Sequence, residues 1–477
     1  MAGPEQSPLL LSKRFAAHAL ETRFEDLTED AVAQAKVFIL DTFGVGIAGS
    51  SAYGADELLT FGMSSGSSQE AAVWGRSIRL PVGMAALTNG YQVHCQEYDC
   101  VHEGAVLHPL ATTLPAALAY AEKTGCVSGK DLITAIAVGV NVSAGLGIAS
   151  KSAMTFFRPA TAGGFGATAA VGRLMGLPHA SLVQAFGIQY AQTSGTLQPH
   201  VEGSTSLPLQ VGLNGRAAVQ SCELAGAGFP GPLDVFEGPY GYFRLFEGPT
   251  PWNLAETYNC LDGKRWLISE LSHKPWPAGR ATHAGIEALK ELRKKVDGSV
   301  ISPEEVRRVI IKGPPVTARL CSRPDLPNPS PNYARLCMSY VGAKVFMHGT
   351  IDLAHYRGCE LTDAATHELA KRIHMVSDSQ ADPNALVPVS VNFETVNGDI
   401  KTFQCSQMLA SPSRRLSRDQ HLTKFRRCWE FSAEPMPESA RETLIAMVDR
   451  LEQIPDINVM TKLLAPPSSS QHLNARL

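Results

Sequence analysis

Val389-Ser390-Val391-Asn392-Phe393-Glu394-Thr395 runs through Asn397-Gly398 into Ile400-Lys401-Thr402-Phe403. Apolar and polar residues alternate in both runs, the period of a strand with one buried face. Asn-Gly between such runs is a strong hairpin signal, because both residues tolerate positive φ. A third strand is expected at Val306–Lys312, β-branched and stopped by Gly313-Pro314-Pro315. Helical spacing over 281–296 and 333–346 completes an α+β unit spanning 269–408.

Outward from this unit the chain reads as helix on both sides. Segments 8–24, 29–43, 81–94, 111–124, 130–146, 160–175, 180–195 and 211–227 carry helical periodicity, many rich in Ala and Gly that let helices pack closely. Thr28 is placed to cap the second of them. Strand signals are nearly missing before residue 260, and helix returns after Arg415, most clearly over 438–453. The expected fold is therefore mainly α. A large all-helical domain is formed by both chain ends (1–268 and 409–465), with an inserted α+β lid domain (269–408). A flexible C-terminal tail is expected over 466–477.

Composition narrows the function classes. At 477 residues with 44% hydrophobic content the chain is long enough for two domains. A net charge of −3, without a basic run interleaved with aromatics, gives no reason to expect nucleic acid. The longest apolar runs, such as 132–140, stop short of a bilayer's thickness, so no membrane partner is expected. Ten scattered cysteines with no C-x-x-C pair point to reduced thiols in an intracellular protein. The chain ends Ala475-Arg476-Leu477, a small–basic–Leu tripeptide related to the S-K-L address, so the expected location is cytoplasmic, or peroxisomal if that tripeptide is read.

The chemistry is expected at His94-Cys95-Gln96-Glu97-Tyr98-Asp99-Cys100-Val101-His102-Glu103-Gly104-Ala105-Val106-Leu107-His108. Three histidines and three carboxylates in one short stretch reshape one another's titration, and histidine passes protons near neutral pH. Metal ligation by His94, Cys95, Cys100, His102 and His108 is the competing reading, but their spacing fits no standard zinc pattern, and no metal or other cofactor is expected. Arg158, between aromatics and Pro159 ahead of a Gly-rich helix start, suits bidentate carboxylate recognition. Lys274, Arg280 and His283 add cations in the stiff segment between the two domains, where ligand clefts form. Tyr340 lies in a helical pattern and reads as core on pattern alone. These features point to a small di- or tricarboxylate handled by proton transfer beside a carboxylate.

Glu97-Tyr98-Asp99-Cys100-Val101-His102 with His108-Pro109 resembles the acidic-run and His-Pro signature of the MmgE/PrpD family. Arg158-Pro159, Leu174-Met175-Gly176-Leu177, Gly238-Pro239-Tyr240-Gly241-Tyr242-Phe243 and Lys274-Pro275-Trp276-Pro277 extend the resemblance over most of the chain. The family includes 2-methylcitrate dehydratase, cis-aconitate decarboxylase and iminodisuccinate epimerase, which need no cofactor. It implies a helical domain from both chain ends, an inserted lid and a homodimer. It also implies catalytic roles for His108, Lys274 and Tyr340. Arg158 stands where the decarboxylase has a catalytic histidine, Leu207 where it has a lysine, and Gly279 where it has another histidine. The resulting expectation is a lyase dehydrating a citrate-like tricarboxylate of the 2-methylcitrate or alkylcitrate type. Dicarboxylate epimerase, then decarboxylase, then a non-catalytic carboxylate-binding homologue are the alternatives. His108 and His102 are expected to move protons, tuned by Asp99, with Lys274 or Tyr340 opposite. Arg158, Arg280, His283 and Glu97 are expected to contact substrate.

Overall fold

The computed structural model describes residues 10–467 apart from 296 and 383, so the Ala475-Arg476-Leu477 tripeptide lies outside the described residues. Of these residues 56% are helix and 8% strand, which makes the fold mainly α with a small α+β part.

The N-terminal portion contributes α1 (Leu11–Glu21), α2 (Glu29–Gly49), α3 (Ala55–Ser64), α4 (Val82–His94), α5 (Pro109–Thr124) and α6 (Gly129–Ala149). It continues with α7 (Arg158–Thr161), α8 (Gly163–Leu174), α9 (His179–Gln192), α10 (Gln198–Glu202) and α11 (Ser206–Gly226). Its strands are the two-residue β1 (Ala71–Ala72) and β2 (Arg79–Leu80). Thr28 caps α2 as expected, its side chain accepting from the Ala31 amide. Small residues bring backbones into contact: a Cβ on Gly212 of α11 would lie 2.2 Å from the Leu87 carbonyl oxygen of α4. α6 and α8 approach the same way, with Gly139 facing the Gly166 carbonyl. α2 and α6 are long and apolar enough to cross a membrane, longer than the apolar runs led one to expect. The apolar window of α6 is wholly buried inside the fold and that of α2 is 72% buried, so both serve as core helices here.

The four-stranded sheet has the order β4-β3-β5-β6, from β3 (Val306–Gly313), β4 (Ile373–Ser377), β5 (Val389–Thr395) and β6 (Ile400–Cys405). β5 and β6 form the expected antiparallel hairpin, in register from Val389↔Cys405 to Glu394↔Ile400, with Gly398 at φ 89 in its turn. β4 was not foreseen: Ile373-His374-Met375-Val376-Ser377 is short, and it pairs parallel to β3, so no local turn announces it. The first flanking helix is shorter than its pattern predicts, His283–Leu292, and the second is broken into two pieces, Pro331–Arg335 and Met338–His348.

One hydrophobic core joins residues from Leu11 to Leu271 with Phe425, Trp429, Leu444, Leu451 and Leu464 of the C-terminal segment. A second core, from Trp276 to Met408, lies behind the sheet. The helices after the sheet thus return to the first core, and the site forms where the two cores meet.

Candidate active site

α4 ends at His94, and α5 begins after His108, which occupies its N-cap position with Pro109 at the first helical turn. Proline is favoured there because its missing N–H would have no partner in any case. The intervening loop is tied down twice. His102 and Leu107 form a β-bridge, and Val101 pairs with Ser272, donating to its carbonyl at 3.0 Å and accepting in return at 2.8 Å. That second bridge seats the segment carrying Lys274 beside the histidines.

Asp99 holds the centre. Its Oδ2 accepts a hydrogen bond from His94 Nδ1 at 3.0 Å and lies 3.1 Å from His108 Nδ1, off line for a well-formed bond. The two imidazole rings meet edge to face at 4.8 Å. Lys274 Nζ, fully buried, donates to Glu97 Oε2 at 2.7 Å and lies 3.9 Å from Asp99 Oδ1. Glu97 (φ 50) and Val106 (φ 52) both adopt left-handed backbone conformations, costly for a side chain and costlier for a β-branched one. Both line the same cavity.

The titrations diverge. Burial alone would lower the His94 pKa, but Asp99, by charge and hydrogen bond, and then Glu97 outweigh it, so His94 is raised above 6.5. For His108 burial dominates, with Lys274 adding to it, and the pKa falls below 6.5 despite Asp99. The helix ends act in the same directions, since a helix C-terminus favours the imidazolium of His94 and an N-terminus disfavours that of His108. Burial opposes ionisation of Asp99, yet His108 and His94 hold its carboxyl well below the usual range. Glu97 falls to about 2 against its own burial, chiefly through Lys274 and then His94 and His108.

A cavity of about 70 Å³ opens beside this cluster. His94, Glu97, Glu103, His108, His200 and Arg280 bring ionisable groups to it; Val101, Val106, Met154, Phe157, Pro159, Leu320, Leu336 and Leu386 supply hydrocarbon. Arg280 is clamped to Glu103, with Nε donating at 2.9 Å, and its Nη1 donates to the Leu409 carbonyl at 3.0 Å.

Of the expected site residues, His108, Asp99, Glu97, Lys274 and Arg280 converge here, Lys274 from behind Glu97. The others are used differently. His102 staples its own loop: Nδ1 accepts from the Ala105 amide at 3.1 Å, and Nε2 lies 3.6 Å from Glu270. Tyr340 is buried in the second core, its hydroxyl donating to the His355 and Glu360 carbonyls at 2.7 and 3.0 Å, in keeping with the core reading of its pattern and not with a catalytic one. Arg158 is turned away from the cavity and paired with buried Glu247 at 2.8 Å, because Glu247 supplies the carboxylate that a substrate was expected to bring. His283 meets Arg280 Nη1 at 3.3 Å and the Ala278 carbonyl at 3.2 Å, so it orients Arg280 instead of lining the cavity. Glu97, ionised beside the cavity, suits a substrate hydroxyl better than a carboxylate. His94 corrects the sequence reading most: the expected proton-transfer pair was His108 and His102, but His94 is the imidazole that faces the cavity and shares Asp99 with His108. Glu103 and His200 also reach the cavity, and only their proximity to other ionisable residues marked them.

Ligand atoms of His94, Asp99 and His108 lie within 4.8 Å of one another, close enough to hold a transition metal ion. The Lys274 ammonium beside Asp99 works against a second cation there and favours a proton shared across the three groups.

Sequence profiles for the MmgE/PrpD N-terminal domain and the MmgE/PrpD C-terminal domain match residues 13–255 and 276–453. The chain is 25% identical to cis-aconitate decarboxylase of Mus musculus, over 96% of this chain and 94% of that protein. It is 24% identical to the Homo sapiens enzyme of the same name, over 96% and 95%. A cis-aconitate decarboxylase-like protein of Aspergillus oryzae is 26% identical, over 80% and 82%.

Proposed function

The chain belongs to the MmgE/PrpD family, and on that footing we propose that it is a lyase that dehydrates a citrate-like hydroxy acid. One observation carries this reading: two imidazoles share Asp99 while their surroundings drive their pKa values apart. Groups separated in this way make an acid–base pair. His108, neutral and directed to Asp99 through Nδ1, removes a proton from the carbon next to a carboxylate. The released electron pair forms the C=C bond as the neighbouring C–O bond breaks. His94, protonated, gives its proton to the departing hydroxyl, and water leaves with an unsaturated acid as product. Arg280 stabilises the charge that builds on the carboxylate.

Epimerisation needs proton-transfer groups on opposite faces of one carbon, and these rings stand side by side on one wall. Decarboxylation is the second reading, favoured by the names of the relatives; it needs a proton donor, which His94 provides, but no base. Incubation with citrate, 2-methylcitrate, cis-aconitate and aspartate-derived acids in D₂O, followed by NMR and mass spectrometry, separates the three. Loss of water from a hydroxy acid is the expected result. Release of CO₂, or deuterium uptake without change of mass from the exchange-corrected substrate, would replace dehydration by decarboxylation or epimerisation.

A further inference from the structure

A second recess, about 580 Å³ in volume, lies between the two parts of the fold and shares no lining residue with the first cavity. The helical part supplies Ser51 and Gln96, and the sheet-bearing part supplies Ser330, Arg335, Tyr356 and Arg357. Gln96 and Arg335 border this recess while their chain neighbours Glu97 and Leu336 line the first cavity, so the same two segments separate the spaces.

Three arginines among the described residues are buried, and two of them have a carboxylate: Arg158 has Glu247 and Arg280 has Glu103. Arg335 has none among the described residues. Its Nη2 donates to Gln96 Oε1 at 3.2 Å, its Nη1 reaches the Cys95 carbonyl and Asn332 Oδ1 only at 3.5 Å, and its Nε has no partner. Burial pulls its pKa below the usual guanidinium value. A guanidinium withdrawn from water without a counter-charge is strongly disfavoured, and an anion in the recess would complete it. Tyr356, buried with its ring 4.6 Å from that guanidinium, also has an unpartnered hydroxyl. Arg357, at the exposed mouth, donates to Ser51 Oγ at 2.7 Å and likewise has no ion pair among the described residues. Two carboxylates stand at the rim: Asp56, paired with Arg76, and Glu57, both exposed. They leave room for one anionic group at the arginines and disfavour a polyanion.

We infer that this recess binds a small molecule through a single oxyanion head, a carboxylate or a phosphate, held by Arg335 and Arg357 with Tyr356 donating to it. The planar donor fork of arginine matches both head groups, and clefts between domains of this size hold small ligands. The site is separate from the proposed reaction, which uses neither arginine.

Isothermal titration calorimetry on the full-length protein with phenyl phosphate, benzoate and, as a cationic control, benzylamine tests this. The expected result is saturable binding of at least one anion with a dissociation constant of about 1 mM or below, and none of benzylamine. The anion that binds more tightly identifies the head group. Arg357→Ala, at an exposed position, and Arg335→Lys are each expected to weaken binding about ten-fold or more. Arg280→Gln, in the first cavity, is expected to leave it within about two-fold. No saturable binding of either anion to the wild-type protein up to about 20 mM overturns the inference, and that measurement needs no variant to fold. Benzylamine binding as tightly as the anions overturns it too. So does anion binding that either folded variant of the recess leaves unchanged, or that is lost in Arg280→Gln instead. If Arg335→Lys does not fold, Arg357→Ala decides alone.

Discussion

At the scale of single residues, His108 and His94 differ in surroundings, and so in proposed task, although they share one carboxylate. Replacing His108 by Ala removes the proposed base and is expected to lower turnover by about 10²–10⁴-fold, measured as kcat on whichever acid proves active. The pH profile carries a finer prediction. Activity is lost on the acid side as His108 protonates, below 6.5 because its pKa is lowered. It is lost on the alkaline side as His94 gives up its proton, above 6.5 because its pKa is raised. The kcat/KM plateau is therefore expected to straddle neutrality, and His94→Gln should erase the alkaline limb. Glu97 has a structural share in the same cluster. Glu97→Gln leaves the buried Lys274 ammonium without its nearest counter-charge and is expected to cost about 3–5 kcal/mol in urea unfolding. At this scale the sequence showed which residue types gather, but it could not show that Glu247, nearly ninety residues after Arg158, saturates that arginine. Such a partner is decided by chain return, which local spacing does not encode.

At the scale of elements, the site depends on helix ends held in register. α4 delivers His94 and α5 delivers His108, and α11 packs on α4 with backbone nearly touching backbone. Gly212→Ala would push a methyl to 2.2 Å from the Leu87 carbonyl, which cannot swing aside as a side chain could. The helices must separate, and a loss of about 1–3 kcal/mol or more is expected. Thermal unfolding of this variant should show it, with kcat falling as well because α4 carries His94. The Ala/Gly-rich helices and the Asn-Gly hairpin were legible because their signals are periodic and local. β4 was not, since a short strand parallel to β3 acquires its meaning only from its neighbour. The loop from Val101 to Leu107 likewise has no local pattern to predict its bridge to Ser272.

For the whole molecule, buried histidines set the response to acid. Burial is the main cause that lowers His18 and His200 to about 4 and His421 to about 3, all in the folded chain. Their pKa values in the unfolded chain stay near 6.5, so the unfolded state takes up protons first as pH falls. Stability is then full above 6.5 and declines from there down to the folded values. Each contributes about 1.4 kcal/mol per pH unit in that window, so the three together take away roughly 4 kcal/mol per unit. Urea midpoints measured at pH 7.5 and 5.5 should differ accordingly. His421 sits against His273 and near Asp41, joining the C-terminal segment, the link between the cores and α2, so acid is expected to loosen the seam at which the site is built.

The sequence by itself determined the mainly helical fold, the α+β insertion and the family, because hydrophobic period, turn chemistry and short motifs are properties of neighbouring residues. It also showed where histidines and carboxylates gather, over residues 94–108. Only the tertiary structure decided that His94 joins it, that Tyr340, His102, Arg158 and His283 stand outside the cavity, and that hydrocarbon from both cores faces the histidines. Those outcomes depend on distances between segments far apart in the chain, and burial and charge pairing across such distances set what each side chain can do.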